Sequence, residues 1–285
     1  KVKLKRSDFE YYTDDIFSED ILGGIPVVRV RSFGDSHQDQ LNRFVETGSR
    51  LRGEPVVIVD IRGNSGGNER WPISWIQGLT GRRAEAVFIF SELKSKTSMA
   101  GRANAFNYWH DVADVSSYRD EVARFATLTE EFENGTIQPA WTGPVYPPMP
   151  LIDNQTTVIL ITNSLVASAG EGMALRISQA KNVLVVGENT RGCLTFGNLS
   201  VHQLPHSGLR IWMPINFGLF LDQEFREEVG LSPDLWVPTA DAVNFTVAAL
   251  RKGTITTRQP LSPDVLQQDF NPENTHAREI RSLLV

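Results

Sequence analysis

"TTVILITNSLVASAGEGMAL", residues 156–175, sets a strand against a helix with only a short turn between them. Residues 156–162 are apolar on both faces, as in a strand buried inside a parallel sheet. The small-residue run from about Ser168 to Ala180 has helical spacing, and residues 182–187 repeat the apolar strand pattern. Strand, helix and strand with short links make a βαβ unit, whose crossover is right-handed. Ser168 stands at the hinge of that unit. Ser168-Ala169-Gly170-Glu171 fits the S-x-x-E capping box, so the serine is either a helix cap or a nucleophile at a helix N-terminus.

The same patterns recur on either side. Residues 55–61 are a second strand that is apolar on both faces, and 25–30 and 86–90 are further strand candidates. Between the first two lies a helical stretch, 38–51, with Leu41, Phe44, Val45 and Leu51 on one face. Residues 208–217 alternate as a strand, and 240–252 read as a final helix. These elements predict an α/β fold. Residues 93–150 differ, with a polar helical stretch at about 120–134 and then Gly143, Pro144, Pro147, Pro148 and Pro150. They read as an insertion lying over the core, without an apolar set of their own.

The 285 residues suffice for one large α/β domain or two ordinary ones. A chain that is 41% hydrophobic and 22% charged has a globular composition. Its formal net charge of −6, with no dense basic patch, argues against nucleic acid or an anionic membrane surface as partner. No run of about 18 apolar residues is present to span a membrane. The lone Cys193 excludes an intramolecular disulfide and a multi-cysteine zinc site. Four N-x-S/T sequons, at Asn134, Asn154, Asn198 and Asn244, carry no weight without a secretory route. The chain begins at Lys1 and not at methionine, so an upstream segment is expected to be missing.

Open α/β sheets place their sites at the carboxyl ends of strands. After the strand ending near Ile61 comes Arg62-Gly63-Asn64-Ser65-Gly66-Gly67-Asn68, a glycine-rich loop whose bare amides can face an anion. It lacks the lysine of a phosphate loop. After the strand ending near Thr162 comes the turn to Ser168. There the amide of Ala169 is aimed at a developing oxyanion, and Gly66 or Gly67 would supply a second donor. One loop offers a nucleophile and the other a bare amide, which together favour the nucleophile over the cap.

These residues resemble the S41 peptidases, the C-terminal processing and tricorn-type serine proteases. VVIVDIRGNSGGN (56–68) is similar to their D-(L/I/V)-R-G-N-x-G-G segment, and TNSLVASAGE (162–171) to S-A-S-A-S-E, with Ser168 on the nucleophile. NVLVVGENTRG (182–192), REEVGLSPDLWVPTADAV (226–243) and GGIPVVRVRSF (23–33) resemble three further segments in the family's order. The likeness spans about residues 22–250. It implies a ClpP/crotonase-like core, at 22–255, with 1–21 ending an upstream module and 256–285 a tail. KVKLKR would then be the closing strand of a PDZ-like module.

The resemblance also implies a base for the serine. The family's lysine falls 25 residues after the nucleophile, where this chain has Cys193. Asn198 is the other register, so a Ser–Lys dyad is excluded. That leaves a histidine–glutamate pair, with Glu227 matching the acidic residue. Gly34-Asp35-Ser36-His37 has the look of the family's histidine segment but stands out of order. His202 and His206 are fallbacks, and a base upstream of Lys1 is the leading account. The activity implied is acyl-enzyme cleavage of peptide bonds, with a protein or peptide as partner and no metal or organic cofactor needed. An oligomer is compatible with it, as is an extracytoplasmic location. Two alternatives stay open: a non-catalytic peptide- or lipid-binding module on the same core, and a crotonase-type thioester enzyme using Glu171. Trp71, Trp75, Tyr108 and Trp109 either line an apolar groove or belong to the core.

Overall fold

The computed structural model describes residues 15–85, 88–113, 115–143, 151–220 and 225–256. KVKLKR, the prolines of 144–150, His276 and all but the first residue of the expected tail lie outside them. In chain order the elements begin with β1 (Phe17–Leu22), β2 (Ile25–Val30), α1 (Gln38–Arg50), β3 (Val56–Asp60) and α2 (Arg70–Thr80). Next come β4 (Phe88–Lys94), α3 (Lys96–Ala113), α4 (Ser117–Glu133), β5 (Ala140–Trp141) and β6 (Thr157–Thr162). The remainder are α5 (Ala169–Ile177), β7 (Val183–Gly187), β8 (Phe196–Gln203), β9 (Arg210–Phe220), β10 (Leu235–Trp236) and α6 (Ala242–Arg251). The expected α/β class holds.

The chain divides into two compact units. The first takes residues up to Glu85, Met149–Gly192 and from Glu228 on, and contains a six-stranded sheet in the order β1-β2-β3-β6-β7-β10. β2, β3, β6, β7 and β10 run parallel, and β1 is an antiparallel edge. β1 pairs with β2 along its whole length, so 17–21 belong to this sheet and not to an upstream module.

The doubly apolar strands are explained by the two faces they fill. Val57, Val59, Val158 and Leu160 point into one cluster with Leu41, Phe44, Trp75, Ile76, Met173 and Ile177 from α1, α2 and α5. Their neighbours Val56, Ile58, Ile159 and Ile161 point the other way, against Val243, Val247 and Leu250 of α6. A strand covered on both sides has no polar face to show. Trp71 and Trp75 are thereby core residues, 5% and 0% exposed. The buried indole of Trp75 stacks on Phe44 and donates its Nε1–H to Thr47 Oγ1 at 2.9 Å. Thr47→Val keeps the volume and strands that donor, so a loss of about 1–3 kcal/mol in urea-unfolding stability is expected.

The second unit takes Ala86–Pro148 and Cys193–Glu227 and holds the antiparallel sheet β5-β4-β9-β8 with α3 and α4. It corrects the expectation of an insertion without a core. Met99, Phe125 and Ile215 are buried together, with Ala103, Phe106, Leu128 and Phe132 packed against them. Arg102 is buried among the Phe106, Trp109 and Phe125 rings and donates to Leu199 O at 2.8 Å. Burial pulls its guanidinium down to about 10, against the opposing charges of Glu92 and Glu121. Among the described residues, no helix is long and apolar enough to cross a membrane.

Candidate active site

β2, β3, β6 and β7 are parallel, so the loops that follow them leave the same edge of the sheet. All four of these loops contribute to the site. Asn64 and Asn163 shape the turns after β3 and β6. Asn64 Oδ1 accepts the Gly66 N–H at 2.9 Å and its carbonyl accepts the Ala167 N–H at 3.0 Å. Asn163 Oδ1 accepts the N–H groups of Gly63 and Leu165, at 3.0 and 3.3 Å. Both asparagines are buried, and they satisfy amides of the turns they shape.

Ser168 is exposed between the buried Ala167 and Ala169 and precedes α5. The S-x-x-E capping box is present, and the Ser168 N–H donates to Glu171 Oε2 at 3.0 Å. Capping alone does not explain the backbone, however. An N-cap normally has an extended conformation, whereas Ser168 has φ 51° and ψ −120°. A non-glycine residue held there costs about 1–3 kcal/mol and marks a position over-determined by its surroundings. Strained strand-to-helix turns carry the exposed serine nucleophile of α/β-hydrolases.

The surroundings that over-determine it are visible. Glu171 is fully buried, and its Oε1 accepts the Thr190 hydroxyl at 2.6 Å and the Gly192 N–H at 2.8 Å. One carboxylate therefore binds the Ser168 turn to the turn after β7. This occupies the group that a thioester chemistry would have needed. On the other side stands Gly66, at φ 105°, where a Cβ would lie 2.8 Å from Ser168 Cβ and 3.0 Å from Ala169 N. Only glycine fits that contact.

The Gly66 amide is spent on Asn64, which alters the expected pair of oxyanion donors. Phe33 donates its N–H to Gly66 O and accepts the Asn68 N–H, at 2.9 and 2.8 Å. This bridge leaves the Gly67 N–H on the far side of the chain from Phe33. Gly67 is thus the glycine of this loop whose N–H is spent on neither Asn64 nor Phe33, and the Ala169 N–H is an orphan of the first helical turn.

Of the candidate bases, His37 ends a 3-10 turn, Asp35–His37, after β2 and is half-buried. Glu227 belongs to the second unit, where its Oε2 accepts the Thr195 N–H at 3.0 Å. His202, in the same unit, packs on the Gly101 backbone with Nε2 3.1 Å from Ser200 Oγ. Ser200 gives its hydrogen to Met213 O, so it accepts from His202, a satisfied structural histidine. His206 is exposed in the β8–β9 turn, and His110 Nε2 accepts from Arg119. Among the described residues no three His, Cys, Asp or Glu side chains gather as a metal site requires. Sequence reasoning missed Asn64, Asn163, Thr190 and Gly192 as parts of the site, although all four lie in the quoted motifs.

The model of peptidase family S41 matches residues 24–237. No curated protein matches the chain. Among solved structures, mature CPAF is similar at 14% identity and a TM-score of 0.50, over 79% of this chain and 50% of that one. The photosystem II D1 C-terminal processing protease is 17% identical, with a TM-score of 0.42, over 75% and 42%. The tricorn protease is also 17% identical, with a TM-score of 0.45, over 80% and 18%. The chain spans about half the length of mature CPAF. These likenesses are of fold.

Proposed function

The chain belongs to peptidase family S41, and on that premise we propose that it is a serine peptidase acting through Ser168. The exposed serine at φ 51° and ψ −120° is the observation that carries this reading. Ser168 Oγ attacks the carbonyl carbon of a peptide bond while a histidine takes its proton. The Ala169 and Gly67 amides hold the tetrahedral oxyanion, each such donor being worth about 3 kcal/mol. Collapse breaks the C–N bond, the histidine returns the proton to the leaving amine, and water hydrolyses the acyl-serine. Glu227 is the carboxylate that the family resemblance assigns to that histidine. His37 is our candidate for the base, because its loop is bonded to the glycine loop that touches Ser168.

Fluorophosphonate labelling followed by peptide mass spectrometry tests this. The label is expected on Ser168 and is lost in Ser168→Ala. Label on another residue, or none, overturns the assignment. His37→Gln is the next variant, and labelling retained at the unaltered rate removes His37 from the role of base.

A further inference from the structure

Gly66 stands against Ser168, and Gly67 stands against Phe33. Gly66 and Gly67 are consecutive at φ 105° and 135°, and such residues lose more freedom on ordering than any other. Asn64 Oδ1 holds the Gly66 N–H, and the other bonds that fix this stretch come from the loop after β2. The Asp35 side chain is 3% exposed and receives three donors from the segment that follows Gly67. Its Oδ2 accepts Asn68 Nδ2 at 2.9 Å, while Oδ1 accepts Arg70 Nη2 at 2.9 Å and Trp71 Nε1 at 2.8 Å. Phe33, two residues before Asp35, makes the two backbone bonds that flank Gly67. The contact is close, since a Cβ on Gly67 would lie 2.2 Å from the Phe33 carbonyl carbon.

We infer that Asp35 is a positioning residue, a latch that sets the Gly66–Gly67 backbone against Ser168 and carries the His37 loop with it. The inference rests on Ser168 being the nucleophile. Asp35 acts through the segment 66–71 and touches no reacting atom. Its carboxylate is the acceptor that fixes both Asn68 and the first turn of α2. Without it, the amide at Gly67 is free to move relative to the oxyanion it serves.

The hydrogen-bond pattern supplies a specific test. In Asp35→Asn the amide oxygen stays with Arg70 and Trp71, so the new Nδ2 faces the Asn68 Nδ2. Asn68 cannot turn its amide over, because its Oδ1 caps the Arg70 N–H at 3.0 Å. Asn68→Asp, added to Asp35→Asn, restores an acceptor opposite the new donor. It keeps an oxygen on Arg70 N–H and leaves the net charge unchanged.

The concentration dependence of fluorophosphonate labelling separates the first-order step from the encounter. Asp35→Asn is expected to slow the first-order step about 100-fold, as a displacement of about 1 Å does, with the encounter constant unmoved. The double variant should recover most of that loss. A merely destabilised protein would instead show a smaller labelled fraction at an unaltered rate. The latch is overturned if Asp35→Asn labels at the original rate, or if the double variant restores the thermal midpoint but not the rate. Should the unaltered chain leave Ser168 unlabelled, the nucleophile assignment fails separately. Amide exchange over residues 66–68 then still reads the latch: faster in Asp35→Asn and restored in the double variant supports it, and unchanged exchange overturns it.

Discussion

Glu171→Gln is expected to slow phosphonylation of Ser168 at least 100-fold while leaving the chain folded. The substitution is isosteric, so its effect lies in the replacement of one oxygen by an NH2 group. Oε1 accepts from Thr190 Oγ1 and Gly192 N–H, and Oε2 accepts from Ser168 N–H. With the amide oxygen kept on Thr190 and Gly192, the NH2 is set against the Ser168 N–H. A stranded donor costs about 1–3 kcal/mol, and the group stranded is the one that holds Ser168 in its strained conformation. The backbone relaxes towards an ordinary extended N-cap, and the hydroxyl leaves its position beside Ala169. A displacement of about 1 Å accounts for the loss in rate. The labelling rate constant and the urea midpoint, measured on the same preparation, check both parts. A rate within threefold of the original would mean that Glu171 is a structural cap and nothing more.

That double role explains how much of the site could be read from sequence. Ser168 and Glu171 are three residues apart, so their mutual bond is local and was legible as a capping box. Thr190 and Gly192 reach the same carboxylate from 19 and 21 residues away, across a strand and a turn. No local pattern encodes that. What separates Gly66 from Gly67 was only partly legible: Asn64 takes the Gly66 N–H from two residues away, whereas the backbone bonds that flank Gly67 come from the distant Phe33.

The fold shows the same division. β3 and β6 were legible because their apolar residues run without a polar face. α2 was not read as a helix, since Pro72 and Gly78 interrupt it, although proline is tolerated in a first helical turn. α3 hides its pattern differently: Arg102 and Asn104 turn towards β8, bonding the carbonyls of Leu199 and Val201. The core of the second unit closes only when Ile215 joins Met99 and Phe125. Read alone, residues 93–150 lack that partner, which is why they looked like an insertion without a core.

Asp60→Asn should be the most destabilising of these substitutions, at about 3–5 kcal/mol by urea unfolding at neutral pH. Asp60 closes β3 with its side chain wholly buried, between the Arg31 and Arg62 side chains, which are 14% and 11% exposed. Arg31 reaches Oδ1 and Oδ2 at 2.9 and 2.8 Å, and Arg62 reaches them at 2.8 and 2.7 Å. Arg62 also bonds the Thr239 carbonyl, so the carboxylate organises the ends of three segments. An amide in its place takes from two nearly buried guanidinium groups the counter-charge they share, which is the costly way to break a buried pair. Against a total stability of about 5–15 kcal/mol, that is a large fraction. The pH dependence identifies the cause. Burial alone would raise the Asp60 carboxyl, but the hydrogen bonds of Arg62 and Arg31, aided by their charges, hold it far below the usual carboxylate range. A depressed folded-state value contributes stability that is present above the unfolded value, about 3.9, and is lost as pH falls towards the folded one. The gap between the two proteins should therefore be constant from about pH 7 to pH 5 and narrow below about pH 4. A gap that persists unchanged into acid would assign the loss to packing, and a gap under about 1 kcal/mol at pH 7 would remove the two arginines from the stability of the fold.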